Sequence, residues 1–468
     1  MLTASEGGAA ALREVLQKTN YLFVSKILRG TGDFVDPWFD FDSMRRAVEQ
    51  LDSPYRNTFL LLMLGLSGPK TAIADEIGMP SVEALIACGL WEENDGMICC
   101  RDDLIVLCYR GLWLVTELNP WFATCRKKNT DVYIGSDSLR LAENISFRKG
   151  ARVLDLCSGT GIQGLMAARS AAHVVSVEIN PVTVPVTRFN VLLNGMQDVV
   201  EVREGDLYQV FSENERFDCI YANPPFIPMM DSVDYPICGT GGEDGLRVLR
   251  SILSGLPQHL LPGGEITIFC ECLGDEKTVF FDREVKALAM EHGWKCLAAH
   301  IGRSEAGDQI ERLAKLTALF QDPFDPREFK RSMHGIYDRL HATYLYDIIY
   351  RLEDTGDPAF LCLDTYNPWH YKDHASVSDA LTSQKHEGEE ILFLDGKRVG
   401  RVKTDAAELL NCFRSGDSVE EAVKWVFFKY RKTLIGKQTS YYAYLTQVLT
   451  TCSLLENYGV LRRLPSDV

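Results

Sequence analysis

From residue 151 the chain alternates short apolar runs with amphipathic ones. "ARVLDLC" (151–157), "HVVSVEI" (173–179), "VVEVREGD" (199–206), "FDCIYAN" (217–223) and "GEITIFCECL" (264–273) read as strands. Between them, "GIQGLMAARSA" (161–171), "PVTVPVTRFNVLLNG" (181–195) and "DGLRVLRSILSGLPQHL" (244–260) read as helices. This alternation predicts βαβ units: a doubly wound, Rossmann-like parallel sheet with helices on both faces, of α/β class. A helix over about 279–292, a strand at 294–302, a helical insert over about 305–352 and a last strand at 358–364 extend it.

The flanks follow other rules. Residues 1–130 read as mostly helical, with apolar residues at helical spacing over 12–28 and 57–66. Within them "TAIADEIGMPSVEALIACGLWEENDGMICC" (71–100) predicts helix, turn, helix and wing, a winged-helix-like unit. Its second helix carries one Glu and no Arg or Lys, so packing or substrate capping suits it better than groove reading. Residues 131–372 form the expected catalytic domain, and 373–468 a small C-terminal α+β domain. There 374–390 is polar enough for a linker, 391–402 is a hairpin turning at Asp395-Gly396, and helices follow at 405–414, 418–430 and 440–458.

With 468 residues, 46% of them hydrophobic and 24% charged, the chain is an ordinary globular protein of two or three domains. No apolar run is long enough to span a membrane. The opening residues lack the basic flank and apolar run of a secretory leader, so a cytoplasmic protein is expected. Fourteen cysteines without metal-ligand spacing predict free buried thiols and no metal site. A net charge of -16 disfavours nucleic-acid partners, whose phosphates call for a basic face. A small-molecule, amino-acid or peptide substrate fits better, and a homodimer is compatible with the chain.

Chemistry concentrates at the predicted strand ends. "VLDLCSGTGIQG" (153–164) places Gly159, Gly161 and Gly164 in G-x-G-x-x-G spacing between a strand and a helix, a pattern several nucleotide folds share. Asp155 stands where an acid would repel a pyrophosphate but meet an ammonium. Glu178 ends the next strand, suited to a ribose diol, and Asp206 follows the third, placed to accept from an adenine amino group. Three acids along one crevice suit a zwitterionic sulfonium ligand. After the fourth strand comes "YANPPF". Pro224 forces Asn223 out of the helical region, and Pro224 and Pro225 fix the backbone while withholding two amide donors. The Asn223 oxygen and the Pro224 carbonyl then offer two acceptors to a planar nitrogen bearing hydrogens, with Phe226 able to stack on it or cover a transferring methyl.

The segments "DLCSGTGIQG", "VEINPVTVPVTRFNVLLNG", "GDLY", "YANPPF", "GGEDGLRVLR" and "LLPGGEITI" together resemble the class I S-adenosylmethionine-dependent methyltransferases, and within them the HemK/PrmC-type glutamine methyltransferases. The resemblance implies S-adenosyl-L-methionine as cofactor, held by Tyr133, Asp155, Ser158, Gly159, Gly161, Glu178, Ile179, Asn180, Asp206, Leu207 and Asn223. It implies that Asn223, Pro224, Pro225 and Phe226 carry transfer to a nitrogen acceptor. In similar enzymes the segment around Tyr133 and Asp137 covers the cofactor. "GTGGEDG" (239–245) reads as a mobile flap beside the acceptor loop, and a cationic substrate or a plain helix start explains its Glu243 and Asp244 equally. The C-terminal pattern is similar to PqqD-like peptide-binding domains, with a packing or dimerisation module as the equal alternative. Three functions stay open: N-methylation of the amide or guanidino nitrogen of an amino acid, peptide or small metabolite; methylation of a protein glutamine or a nucleic-acid base; and a non-catalytic cofactor-binding regulator with a winged helix.

Overall fold

The computed structural model describes residues 2–29, 41–118, 132–321, 323–364, 374–386, 389–414, 417–436, 444, 448–449, 451–452, 455–456 and 460–464. The chain divides into two compact units, one of residues 1–296 with 303–360 and one of 297–302 with 361–468.

The larger unit is built on the expected alternation. Strands β1 (Arg152–Leu156), β2 (His173–Glu178), β3 (Val200–Glu204), β4 (Phe217–Ala222) and β5 (Leu260–Gly274) pair in parallel. Strand β6 (Trp294–Glu305) is shared between the two units. Strand β7 (Tyr344–Asp354) lies antiparallel against β5, from Glu265↔Glu353 to Gly274↔Tyr344. The order among the strands wholly inside the larger unit is 3-2-1-4-5-7. Val153, Leu154, Asp155 and Leu156 are all at most 2% exposed. A strand covered on both faces has no polar side to alternate, which is why β1 and β4 read as unbroken apolar runs. The order reverses between β1 and β4, and a crevice opens beyond the carboxyl ends of strands at such a reversal.

Two stretches depart from expectation. The insert expected to be helical to about 352 is helical in Ala306–Phe320 and Pro326–Arg339, but Tyr344–Asp354 is strand β7. Its apolar run is too dense for periodicity to separate strand from helix, and its pairing with β5 decides the matter. The mostly helical reading of 1–130 misses a hairpin, Leu104–Tyr109 with Leu112–Glu117, closed by Arg110 and Gly111 at φ 47° and 83°. The helix expected over 12–28 is two, Glu6–Lys18 and Tyr21–Arg29, broken where Asn20 takes φ 51°. The helices Lys70–Ile77 and Met79–Ala87 precede a second hairpin, Trp91–Asn94 with Met97–Cys100. Glu76 reaches back to accept from the Asn57 and Thr58 backbone amides at 3.0 and 2.8 Å, capping the orphan donors of helix Arg56–Leu64.

The hairpin is tied to the sheet layer by two asparagines one turn apart on helix Val184–Leu193 and its cap. Asn190 accepts from Val115 N at 2.7 Å and donates to Val115 O at 3.0 Å; Asn194 does the same for Trp113 at 2.9 and 2.7 Å. Asn190 also donates to Thr160 O, inside the glycine turn, at 3.0 Å. Side-chain amides here serve as a substitute strand for the hairpin edge.

In the smaller unit Asp395 and Gly396 close the expected hairpin, Glu389–Leu394 with Lys397–Lys403, and Leu381–His386 adds a third strand. The polar stretch expected to be a linker is therefore partly strand: exposed positions on an edge carry no apolar signal. Helices Thr404–Arg414 and Val419–Gly436 pack Leu409, Phe413, Val423 and Phe427 into its core. The helix expected over 440–458 falls largely outside the described residues. No cysteine pair is bridged, and no helix is long and apolar enough to cross a membrane, among the described residues.

Candidate active site

The expected cofactor residues stand at the ends of neighbouring strands. After β1 the backbone turns through Cys157, Gly159 and Gly161 at φ 56°, 54° and 82°, then enters helix Ile162–Ala167. Asp155 is 1% exposed, and its Oδ2 accepts from Gly164 N at 3.0 Å and Ser176 Oγ at 3.2 Å. Burial pushes its pKa up to about 7 against those two donors. The carboxylate thus ties the glycine turn to β2 from below, a packing role the sequence reading left out. A side chain on Gly164 would run into the Ser176 hydroxyl.

Glu178 ends β2. Its Oε2 accepts from Gly159 N at 2.8 Å and its Oε1 from Asn180 N at 2.9 Å, while burial raises its pKa. Asn180 in turn caps Val182 N at 3.0 Å, and Ile179 is 48% exposed. Asp206, just past β3, is exposed and accepts from Gln209 Nε2 at 2.8 Å; Leu207 beside it holds φ 46°. The three acids converge: the Cys157 thiol, pushed up by burial, is raised further by Glu178, Asp155 and Asp206.

These residues fit a nucleoside-bearing sulfonium ligand. A side chain on Gly159 would meet open space, and the buried Ser158 Oγ has no hydrogen-bond partner. An open cradle with an orphaned polar atom marks a place for ligand groups.

On the far side of the switch point, Asn223 follows β4. Its Nδ2 donates to Asp137 Oδ2 at 2.7 Å and to Ser138 Oγ at 3.3 Å, and its Oδ1 is buried with no partner. Asp137, from helix Ser136–Asn144, is itself raised by burial. Ser138 was not singled out in the sequence; its proximity to Asn223 arises only when the helix packs against the sheet. Tyr133 folds over Gly135, where an added side chain would strike both its ring and Asp137. Burial raises the Tyr133 phenol, with Asp137 next in effect.

The loop after Asn223 is held by the segment 239–245. Ile227 N donates to Gly239 O, Gly241 N to Ile227 O and Met229 N to Gly242 O, at 2.8, 2.9 and 2.8 Å. A side chain on Gly245 would collide with the Phe226 carbonyl. The segment expected to be a mobile flap is thus stitched to the acceptor loop. Pro224 is buried and Pro225 half-buried. Phe226 is 9% exposed with its ring against Phe269, 5.6 Å between centroids, a packing contact. Glu243 and Asp244 have partners within the chain, Arg339 at 3.3 Å and Arg250 at 2.7 Å.

A sheet reversing between β1 and β4, a glycine turn at β1 and an acid closing β2 define the class I methyltransferase fold. The family model for the methyltransferase small domain matches residues 130–278. A protein of Methanocaldococcus jannaschii assigned as an N5-glutamine methyltransferase is 31% identical over 157 residues, 32% of this chain and 78% of that one. The ribosomal protein uL3 glutamine methyltransferase of Bradyrhizobium diazoefficiens is 35% identical over 26% of this chain and 40% of that one. The release factor glutamine methyltransferase of Clostridium acetobutylicum is 36% identical over 26% and 48%. The chain spans less than half the length of those last two relatives. It belongs to the HemK/PrmC-type family of S-adenosylmethionine-dependent methyltransferases, and S-adenosyl-L-methionine is the cofactor that this membership supports.

Proposed function

We propose that the protein is an N-methyltransferase acting on the side-chain carboxamide of glutamine in a peptide or protein. The observation that carries this reading is the orphaned Asn223 Oδ1, buried and turned away from Asp137. A buried acceptor without a donor costs about 1–3 kcal/mol, a cost that an incoming N–H offsets. A primary carboxamide brings two such hydrogens in one plane, one for Oδ1 and one for the Pro224 carbonyl. Both bonds draw electron density toward the nitrogen and hold its lone pair on a fixed line. S-adenosylmethionine, when bound, supplies an electrophilic methyl carbon. The prolines keep the acceptor plane rigid, and Asp137 keeps the Asn223 amide from inverting. The chain's acidity and the glutamine-directed names of its relatives favour this acceptor over a nucleic-acid base.

Asn223→Ala is expected to lower transfer to a glutamine peptide by roughly a hundred-fold or more. Its affinity for S-adenosylhomocysteine, read by calorimetry, should stay close to that of the unaltered chain. Retained turnover with lost cofactor affinity would overturn the assignment.

A further inference from the structure

Beyond the clamp, β5 carries a carboxylate that sequence reasoning passed over. Glu271 lies between two fully buried cysteines, and its side chain is 14% exposed. Arg312 of helix Ala306–Phe320 stands 3.6 Å from its Oε1, while its Oε2 is buried with no partner. Asp347 of β7 is its register partner and is held by Arg140. Arg140 follows Asp137 by one turn of the same helix, so one helix face reaches both Asn223 and this acidic pair. Tyr337 of helix Pro326–Arg339 is 2% exposed, its hydroxyl also lacks a partner, and it lies in the field of Glu271 and Arg312.

We propose that Glu271 and the Tyr337 hydroxyl form an acceptor-side subsite for a cationic nitrogen group, an ammonium or guanidinium, on the molecule that carries the methylated nitrogen. The proposal rests on the reading of Asn223 as the acceptor clamp. Arg140 pairs with Asp347, and Arg312 stands by Glu271. Burial pushes the Glu271 carboxyl up, with Asp347 and Asp137 adding to the rise against Arg312, so a further cation beside it would favour the ionised form. A buried carboxylate is stabilised only when its oxygens are paired, and an ion pair made for structure alone would engage both of them. Arg312, half-exposed and beyond hydrogen-bond distance, leaves Oε2 open. A cation there stabilises the carboxylate and donates to both orphaned oxygens. A metal ion is disfavoured, because the site offers few oxygens and Arg312 already stands beside it. The cation can be the α-ammonium of a free amino acid or a basic side chain beside glutamine in a peptide.

The test is calorimetry on the full chain with S-adenosylhomocysteine present, comparing N-acetyl-argininamide with N-acetyl-citrullinamide, its uncharged isostere. The arginine compound should bind roughly ten-fold more tightly, and Glu271→Gln should abolish that preference without altering S-adenosylhomocysteine affinity. Equal binding of the two compounds, or a preference that survives Glu271→Gln, overturns the proposal. Should Glu271→Gln fail to fold, Tyr337→Phe must reduce the preference at least about two-fold, and an unchanged preference overturns it. A transfer assay then distinguishes the sources. A lower KM for glutamine beside arginine than beside norleucine points to a peptide side chain, and one for free glutamine over Nα-acetylglutamine points to the α-ammonium. If no glutamine compound is methylated while the calorimetric preference holds, the glutamine reading fails and the cation subsite stands.

Discussion

An asparagine amide can turn half a rotation and exchange oxygen for nitrogen with little change of shape. Asp137 restricts that freedom at Asn223: Nδ2 donates to its Oδ2, and that bond favours the carboxylate, which only accepts, against the burial that raises it. Asp137→Asn keeps the volume but can donate as well as accept, which lets the clamp invert. Single-turnover transfer in that variant should fall roughly ten- to hundred-fold, the worth of about 1–3 kcal/mol. Asp155 shows a second consequence of burial. Its folded pKa, about 7, stands above the ordinary 3.8, so the ligand-free native state holds the proton more tightly than the unfolded chain. The resulting stabilisation is fully present below the unfolded value and is lost as pH rises through about 7. Asp155→Asn has no such proton to lose. Its melting temperature relative to the unaltered chain should therefore climb between about pH 4 and pH 8, and a flat difference would refute the assignment. Glu178 shifts in the same direction and its charge also raises Asp155, so the difference reads Asp155 together with its coupling to Glu178.

At the scale of elements, what could be read was whatever a local pattern encodes. The β1-turn-helix unit is legible because a buried strand, three spaced glycines and an apolar helix are all contiguous. Strand β7 was not, since Leu345, Tyr346, Ile348, Ile349, Tyr350 and Leu352 suit a buried helix as well as a strand, and only pairing with β5 distinguishes them. Glu271 was hidden for a related reason: its partners Arg312 and Tyr337 come from helices that follow much later in the chain. The hairpin at 104–117 was likewise overlooked, although Arg110-Gly111 between two apolar runs is a turn signal. Its edge depends on Asn190 and Asn194, which sequence alone gives no reason to separate from surface asparagines. Asn190→Leu leaves the Val115 amide, the Val115 carbonyl and the Thr160 carbonyl short of a partner. A loss of about 2–4 kcal/mol in denaturant unfolding is expected, accompanied by weaker S-adenosylhomocysteine binding because Thr160 lies in the glycine turn.

For the molecule as a whole, charge bears on partner choice more than on the fold. A net -16 repels polyanions at long range and favours the approach of cations, which is the direction the proposed acceptor needs. The local account at Glu271 agrees in sign, since its Oε2 is buried without a partner and a cation there would favour the carboxylate. The two effects separate by ionic strength. Steering by the net charge is screened as the Debye length contracts from ~30 Å at 0.01 M to ~3 Å at 1 M salt, whereas a buried contact is screened far less. For a glutamine peptide with a neighbouring arginine, kcat/KM should fall several-fold over that range. The ratio of its KM to that of the norleucine peptide should shrink only partly, leaving a residual preference at high salt. A preference that disappears entirely at 1 M salt would assign it to the surface field. A kcat/KM indifferent to salt would show that the net charge plays no part in bringing the acceptor to Asn223.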